Sequence, residues 1–414
     1  MKARILAAAL AATALTACSQ SSEEPTPDLA AEAQRIAQDA IIVDGHIDVP
    51  YRLQSNPDDV TQATEGGDFD HPRAVSGGLN APFMSIYTPA GLGAEGGAYE
   101  LANELIDSVE AIVATAPDKF AIATSPAEVR QQFSQGLISL PLGMENGAPI
   151  EGSLDNLRHF HERGIRYVSL AHSLANDLAD SSYDVNRRWD GLSDLGIEVL
   201  HEMNRLGIMV DVSHLSDDAF WDVMEETAVP VIASHSSARR YTPGFERNMD
   251  DDMIVALAEN GGVIMINYGS SFVTADANRY SMGRWAARTA FELEHRDLSA
   301  EEASERFEEI WAAEHGPYPY SDLSDVLDHF DHVIALVGVD YVGIGSDYDG
   351  VGDSLPTGLK DVSSYPNLVR GLLERGYSED DIRKILGENL LRVWDEVEGH
   401  AAAANQAATT SSST

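Results

Sequence analysis

The sequence predicts an α/β fold, a (β/α)8 TIM-type barrel with helical insertions. Short apolar runs alternate with amphipathic helical segments over most of the 414 residues, which is typical of parallel β/α units. An open, doubly wound sheet would show the same alternation. No Gly-x-Gly-x-x-Gly fingerprint follows the first strand, however, and this favours the closed barrel over a dinucleotide-binding sheet.

The first residues are typical of a bacterial lipoprotein signal peptide. Lys2 and Arg4 precede an apolar core and a small-residue cleavage motif that ends in Cys18, the only cysteine of the chain. We expect residues 1–17 to be removed and Cys18 to carry a lipid. Ser19 then predicts sorting to the outer membrane, facing the periplasm. Ordinary signal cleavage beside an incidental cysteine is the alternative.

The chain is strongly acidic. It contains 68 Asp and Glu against 27 Lys and Arg, a net charge of −41. This charge argues against nucleic-acid binding and against electrostatic docking to an anionic membrane. We therefore expect membrane contact only through the N-terminal lipid. An anionic substrate would need basic residues placed at the site itself.

Composition and periodicity divide the chain into four parts. The last residues contain mostly Ala, Ser and Thr without periodicity, which predicts disorder. The parts are a lipoprotein signal peptide at 1–17, a tether and lead-in helix at 18–39, a single catalytic barrel domain at 40–398 and a disordered tail at 399–414.

The elements that open the barrel are predicted as follows. A short helix over 29–39 leads into an apolar strand at 41–45. The segment 51–97 is glycine-rich and irregular, which predicts a long loop that covers the site. A helix over 98–116 follows, and Pro117 stops it.

From residue 136 onward strands and helices alternate regularly. The predicted strands are 137–144, 165–171, 208–212, 229–233, 262–267 and 341–346. Helices are expected after Ser153, Ser193 and Ser216, around 253–257, over 325–337 and between 365 and 397. The charged segment 278–314 interrupts this alternation, and we interpret it as a solvated helix pair.

Polar residues stand at or just beyond the ends of six predicted strands. Because the carboxyl ends of parallel barrel strands share one rim, these residues are expected to meet there. Each has an ordinary explanation when taken singly, but six coincidences of type and position indicate one shared site. The residues are His46, Asp48, Glu145, His172, His214, His235 and Asp347.

These residue types suit a divalent metal. Imidazole nitrogens and carboxylate oxygens are ligands that zinc takes in proteins. Three histidines, an aspartate and a glutamate make five candidate ligands, and one of the carboxylates is able to bridge, so two ions ~3.5–4 Å apart are expected. Such a pair would lower the pKa of a shared water, supply hydroxide and polarise a carbonyl. The predicted chemistry is hydrolysis of an amide or ester.

Several segments together resemble the renal (membrane) dipeptidase family. They follow the family's order from about residue 41 to residue 398. The segments are Asp44–Pro50, Gly143–Gly147, Arg166–His172, Asp211–His214, Ser234–Ala238, Glu246–Asn248 and Gly345–Gly350. The resemblance implies a barrel of the metal-dependent hydrolase type, a metallo-dipeptidase with two Zn²⁺ ions per subunit, and a homodimer.

The resemblance also implies the metal ligands by position. His46 and Asp48 would bind the first ion. His214 and His235 would bind the second ion. Glu145 would bridge the two, and its carboxylate thereby belongs to the catalytic centre.

Three further roles follow from the resemblance. His172 would contact the substrate carbonyl and stabilise the oxyanion. Asp347 would take a proton from the bridging water and pass it to the leaving amine. Arg247 would bind the terminal carboxylate of the substrate in two-pronged fashion. Because the segment before it departs from the family pattern, Arg239 or Arg240 stays open as the carboxylate-binding residue.

The leading hypothesis is therefore a dipeptidase that also accepts a D-residue at the C-terminal position. A related amidohydrolase acting on a β-lactam, a lactone or an N-acyl amino acid is the first alternative. The second is a lipid-anchored binding protein with a degenerate site. The presence of Glu145 and Asp347 argues against the second alternative, because binding alone needs neither residue.

Overall fold

The computed structural model describes residues 28–411. The predicted signal peptide at 1–17 and the lipidation site Cys18 lie outside the described residues. Within the described range, no helix is long and apolar enough to cross a membrane.

Eight parallel strands close into a barrel, which confirms the predicted fold class. Around the barrel the order is β1, β2, β5, β6, β7, β8, β9 and β10, and β10 pairs with β1 through Asp44 and Ile344. The short strands β3 and β4 pair with each other outside it. The strands are β1 Ile42–Ile47, β2 Leu79–Tyr87, β3 Phe120–Ile122, β4 Ile138–Leu140, β5 Leu142–Glu145, β6 Ile165–Ser169, β7 Met209–Asp211, β8 Ile232–Ala233, β9 Val263–Ile266 and β10 Val342–Ile344.

Helices connect and surround the strands. Ser193 and Ser216 cap the helices Asp194–Leu206 and Asp217–Glu226 as predicted, since each hydroxyl accepts a hydrogen bond from a backbone N–H of the first turn. The helices are α1 Leu29–Asp39, α2 Val49–Ser55, α3 His71–Gly77, α4 Leu92–Glu95, α5 Ala98–Thr115, α6 Pro126–Ser134, α7 Leu154–Glu162, α8 Asp194–Leu206, α9 Asp217–Glu226, α10 Asp251–Glu259, α11 Ser270–Val273, α12 Ala275–Glu294, α13 Ala300–His315, α14 Leu323–Val337, α15 Tyr365–Glu374, α16 Glu379–Arg383 and α17 Asn389–Ser411.

The prediction of one long irregular loop over 51–97 is wrong. The second barrel strand, β2, lies inside this segment, and most of its residues are buried between β1 and β5. Pro82 and the glycine pairs around the strand hide its apolar pattern in the sequence. Pro141 similarly divides the predicted strand 137–144 into β4 and β5.

The structure also differs from the predicted disordered tail at 399–414. Helix α17 continues as far as Ser411. Alanine has the highest helix propensity, and the run 401–404 extends a helix whose earlier turns are already packed. Ala401 is buried and lies close to Gly207, which anchors this part of the helix.

Helix α17 closes the amino-terminal end of the barrel. Arg392 donates hydrogen bonds to the backbone oxygens of Gly261 and Asp340, which precede β9 and β10. Trp394 is buried, and its ring centroid lies 5.2 Å from that of Phe83 inside the barrel. This end is therefore filled by apolar side chains, and polar groups collect at the opposite rim.

Candidate active site

The predicted metal ligands all lie at the carboxyl-terminal rim of the barrel. His46 belongs to β1, Glu145 is the last residue of β5, and His235 follows β8. Asp48 and His214 lie just beyond β1 and β7. All five side chains are buried. The polar residues at the strand ends therefore lie together, as their positions in the sequence predict.

The Glu145 carboxylate stands at the centre of this cluster, and its two oxygens face different histidines. Oε2 lies 3.4 Å from His46 Nε2. Oε1 lies 2.9 Å from His214 Nε2, 3.3 Å from His235 Nε2 and 3.5 Å from His172 Nε2. One carboxylate therefore joins two halves of the site.

Two aspartates complete the half that contains His46. Asp48 Oδ2 lies 3.4 Å from His46 Nε2. The ligand atoms of His46, Asp48 and Asp347 all lie within 4.8 Å of one another. The same limit holds for Glu145 with His172 and His214. Donor atoms this close can share a cation, and residues of the two groups that do not bind one lie directly beside it.

The chemistry of the donors fits a divalent metal. His46 Nε2 is buried and has no hydrogen-bond partner, although it faces two carboxylates. Two other imidazole nitrogens, His214 Nε2 and His235 Nε2, lie 2.9 Å apart beside Glu145. Buried carboxylates and orphaned ring nitrogens are costly unless a cation joins them.

Burial and the neighbouring charges set the protonation of these groups. Burial lowers the pKa values of His214 and His235 well below the usual range, and the guanidinium of Arg247 adds to the effect. Burial alone would raise the pKa of Glu145, but the surrounding histidines hold it well below its usual value. Burial alone would lower the pKa of His46, but Tyr167 and the carboxylates of Glu145 and Asp48 raise it well above its usual value. His214 and His235 are therefore the neutral imidazoles beside an ionised carboxylate, and these are forms that bind metal.

Asp347 differs from Glu145 in its protonation. Burial, together with the nearby Asp48 carboxylate, raises the pKa of Asp347 to about 7. The Nδ2 amide of Asn267 donates a 2.7 Å hydrogen bond to Asp347 Oδ2. A carboxyl group with a pKa near neutrality is suited to both accepting and releasing a proton.

Two of these residues adopt a strained backbone. His214 has a φ of 73° and Asp347 a φ of 62°, in the left-handed region that side chains rarely adopt. Such a conformation costs of order 1–3 kcal/mol per residue and persists where the surroundings impose it. Both strained residues lie in the polar cluster. This indicates that directing their side chains into the cluster outweighs the free-energy cost of the left-handed backbone there.

The arginine predicted to bind a carboxylate is poised beside the cluster. Arg247 is buried, and its guanidinium donates to Ser236 Oγ at 2.8 Å and to the His235 carbonyl at 3.0 Å. Within residues 28–411 no carboxylate forms an ion pair with it. Arg239, in contrast, binds Asp217 with two hydrogen bonds of 2.5 and 2.7 Å, and Arg240 is exposed.

Aromatic rings flank the polar floor on two sides. The His172 ring lies 4.8 Å from that of Tyr87, which contacts Tyr51. On the other side, the Arg247 guanidinium lies 5.3 Å from the ring of Phe272. Phe272 in turn contacts Phe245. The site therefore has an apolar wall on each side.

Several residues that hold the site were not singled out from the sequence. Tyr167 Oη lies 2.8 Å from His46 Nδ1, and Ser234 Oγ lies 2.7 Å from His235 Nδ1. Asn267 holds Asp347, as described above. In the sequence, the only feature that marks these residues is a polar side chain in or next to a barrel strand. Which of them reach the ligands depends on the register between strands.

The comparisons with known proteins agree with this geometry. The profile of the membrane dipeptidase family, peptidase family M19, matches residues 30–408. The chain belongs to the membrane dipeptidase family. Its members are metal-dependent, which agrees with the donor cluster of this chain. The predicted resemblance, and the prediction of an enzyme that hydrolyses the peptide bond of dipeptides, are confirmed.

Individual relatives support the same assignment. The dipeptidase aclJ of Aspergillus oryzae is 36% identical over 339 residues, which cover 80% of this chain and 70% of that protein. The probable dipeptidase PvdM from Pseudomonas aeruginosa superposes with a TM-score of 0.78 at 25% identity, covering 90% of this chain and 99% of that chain.

A third relative was solved with a ligand. It is a metallo peptidase from Rhodobacter sphaeroides liganded with a phosphinate mimic of the dipeptide L-Ala-D-Ala. It superposes with a TM-score of 0.70 at 26% identity, covering 86% of this chain and 99% of that chain.

Proposed function

We propose that this protein is a binuclear zinc dipeptidase. The observation that carries the proposal is the position of Glu145. Its Oε2 faces His46, and its Oε1 faces His214 and His235. A carboxylate shared in this way is what two adjacent ions require of a bridging ligand.

The two ions would be held by separate halves of the cluster. His46 and Asp48 would hold one ion, and His214 and His235 the other, with Glu145 common to both. When bound, the ions would lower the pKa of a water to near neutrality and polarise the substrate carbonyl.

Asp347 is the proton carrier in this proposal. Asn267 occupies its Oδ2 with a hydrogen bond, so Oδ1 is the oxygen that accepts a proton and returns it to the leaving amine. A pKa of about 7 suits both steps at neutral pH. Asp347 therefore serves as general base and then as general acid.

His172 and Arg247 orient the substrate. His172 retains one fifth of its side-chain surface and stands at the mouth of the cluster, where it can donate to the developing oxyanion. Arg247 is a buried cation without a carboxylate partner among the described residues, next to His214 and His235. The terminal carboxylate of a dipeptide would complete its hydrogen bonds in bidentate fashion.

The proposed substrates include dipeptides with a C-terminal D-residue. The ligand of the Rhodobacter sphaeroides relative, a mimic of L-Ala-D-Ala, supports this choice. A β-lactam, a lactone or an N-acyl amino acid can also present a carbonyl and a carboxylate to the same groups. Such substrates form the competing proposal that the experiment includes.

The experiment combines metal removal with a substrate panel. The protein is stripped with a chelator, reconstituted with Zn²⁺, and assayed against L,L and L,D dipeptides beside a β-lactam, a lactone and N-acyl amino acids. We expect dipeptide hydrolysis to disappear on stripping and to return with zinc. Full activity of the stripped protein would contradict the metal proposal, and preference for another class would favour the alternative.

We also propose that the mature chain is a lipid-anchored homodimer of the periplasmic side of the outer membrane. The position of Cys18 after a signal-type segment supports the anchor, and the family resemblance supports the dimer. Expression in a bacterial host with labelled fatty acid should label the protein but not Cys18→Ser. Sedimentation at micromolar concentration should give twice the chain mass, and a monomer would contradict the dimer.

A further inference from the structure

The two halves of the proposed site carry different charges. The half built on His46 has a carboxylate of its own, Asp48, besides the shared Glu145. The half built on His214 and His235 shares Glu145, and no other carboxylate of the described residues forms an ion pair with either histidine. It also faces a cation, because Arg247 Nη2 lies 3.0 Å from His214 Nε2. Less negative charge is therefore available to an ion in this second half.

A buried aspartate behind the second half is linked to it through a hydroxyl. Ser234 Oγ lies 2.7 Å from His235 Nδ1 and donates a 2.6 Å hydrogen bond to Asp211 Oδ2. Asp211 and Ser234 are both fully buried. With its proton committed to Asp211, the serine hydroxyl accepts from His235 Nδ1–H. The lone pair on His235 Nε2 is then directed at Glu145.

The corresponding group behind the first half is neutral. His46 Nδ1 contacts the phenol of Tyr167 at 2.8 Å, and a phenol is a neutral hydrogen-bonding group where Asp211 offers a carboxylate. His235, in the half without its own carboxylate, is linked to the Asp211 anion through Ser234. His46, in the half that contains Asp48, contacts the uncharged phenol of Tyr167. The two arrangements balance the charge across the site.

We propose that Ser234 and Asp211 are positioning residues that fix the tautomer of His235 and strengthen it as a ligand for the second ion. The inference rests on the proposed binuclear function. A hydrogen bond from the second ring nitrogen to an anion orients a metal-bound histidine and raises its basicity. Loss of such a partner typically lowers metal affinity about 10- to 100-fold. In this chain the link passes through Ser234.

The structure provides a matched control for this link. Asp211 Oδ1 accepts the backbone N–H groups of Ser213 and Ser234, and these bonds do not involve the serine hydroxyl. Ser169 Oγ also donates to Asp211 Oδ2, and no hydrogen bond joins Ser169 to His235. Ser234→Ala therefore breaks the link, whereas Ser169→Ala removes a hydroxyl from the same carboxylate oxygen and leaves the link in place.

The experiment measures zinc binding at each half separately. The full-length wild-type protein, Ser234→Ala, Ser169→Ala and Tyr167→Phe are equilibrated with Zn²⁺ at graded chelator concentrations, and bound zinc is counted. Crystals grown at one intermediate concentration give an anomalous zinc peak for each half. Ser234→Thr, which keeps the hydroxyl, tests rescue.

We expect Ser234→Ala to lose affinity for one ion by about 10- to 100-fold, with the weakened peak beside His214 and His235. Tyr167→Phe should weaken the peak beside His46 instead. Ser169→Ala should match the wild-type protein, and Ser234→Thr should bind more tightly than Ser234→Ala. Each of these readouts is independent of hydrolysis.

Two results would overturn the inference. One is wild-type zinc affinity at both halves of Ser234→Ala, and the other is an equal loss in Ser234→Ala and Ser169→Ala, which would indicate a purely structural role for Asp211. The proposed function fails by a different result, namely a wild-type protein that binds fewer than two zinc ions at saturation.

Discussion

The two ends of the barrel are built from different kinds of residue. At the carboxyl-terminal rim, carboxylates and imidazoles are buried together, and His214 and Asp347 adopt left-handed backbone. At the amino-terminal end, Trp394 of α17 packs on Phe83 inside the barrel. Strained backbone and buried carboxylates and imidazoles thus meet at the rim, whereas apolar packing supports the other end. We call the amino-terminal end, closed by α17, the base of the barrel. Substitutions at the rim should change activity, and substitutions at the base should change stability.

The largest expected effect is at the bridging carboxylate of the rim. Glu145→Gln should lower kcat/KM for dipeptides by at least about 10³-fold, because bound metal contributes several kcal/mol of transition-state stabilisation. Bound zinc should fall with it. Glu151→Gln, an exposed neighbour, is the control and should match the wild-type protein. Near-normal hydrolysis by Glu145→Gln would remove the basis for a shared carboxylate.

The next effect belongs to the base of the barrel. Trp394→Ala should lower the free energy of unfolding by about 3–5 kcal/mol, because it leaves a cavity beside Phe83. The kcat of the folded fraction should stay near that of the wild-type protein. Trp394→Phe should cost less, since it also removes an indole N–H that is buried without a hydrogen-bond partner. A fall in kcat with little loss of stability would show that the amino-terminal end also contributes to catalysis.

A buried histidine of α14, His329, contrasts with those of the rim, because it serves structure rather than metal. His329 Nδ1 accepts from the Ala238 N–H, and its Nε2 donates to the Val273 carbonyl. Burial lowers its pKa to about 4. Between pH 6.5 and about 4 the unfolded chain therefore binds a proton that the folded protein does not. The contribution of neutral His329 to the free energy of unfolding is fully present above pH 6.5 and is lost as the pH falls from 6.5 to about 4.

The measurement is the free energy of unfolding of the wild-type protein and of His329→Asn from pH 7.5 to pH 4. The variant keeps an acceptor for Ala238 but does not titrate. Its deficit relative to the wild-type protein should shrink by up to about 3 kcal/mol as the pH falls. A deficit that is constant over the whole range would show that His329 does not control the acid response.

The smallest expected effect concerns the cation of the rim. Arg247→Lys should raise KM for dipeptides by about 10- to 100-fold with a smaller change in kcat, because lysine cannot bind a carboxylate in bidentate fashion. Arg240→Lys, at an exposed position, is the control. If Arg240→Lys or Arg239→Lys raised KM and Arg247→Lys did not, the carboxylate would be bound in the segment 239–245 instead.

The sequence was sufficient to predict the rim but not the supports behind it. The ends of parallel strands meet whatever the details of packing, so His46, Glu145 and His235 could be assigned to one site. The link from Asp211 to His235 depends on the register of β7 and β8, which no local pattern encodes. Strand β2 was missed because Pro82 interrupts its apolar pattern.

The base of the barrel was least predictable. Helix α17 was expected to end near residue 398, whereas it continues to Ser411. The composition of the alanine run predicts disorder. However, Ala401 packs near Gly207, and the high helix propensity of alanine then extends the helix. Trp394 carries no sequence signal for its place inside the barrel, because that contact joins the last helix to the second strand.

The most direct test of the account is a comparison of zinc content and dipeptide hydrolysis in the wild-type protein and Asp347→Asn. We expect two zinc ions per chain in both proteins, with hydrolysis lowered by about 10²- to 10⁴-fold in the variant, because Asp347 moves the proton and does not bind the ions. Unchanged hydrolysis by a variant with full zinc content would contradict the proton-carrying role of Asp347, and a wild-type protein that hydrolyses dipeptides without zinc would contradict the proposed metal mechanism.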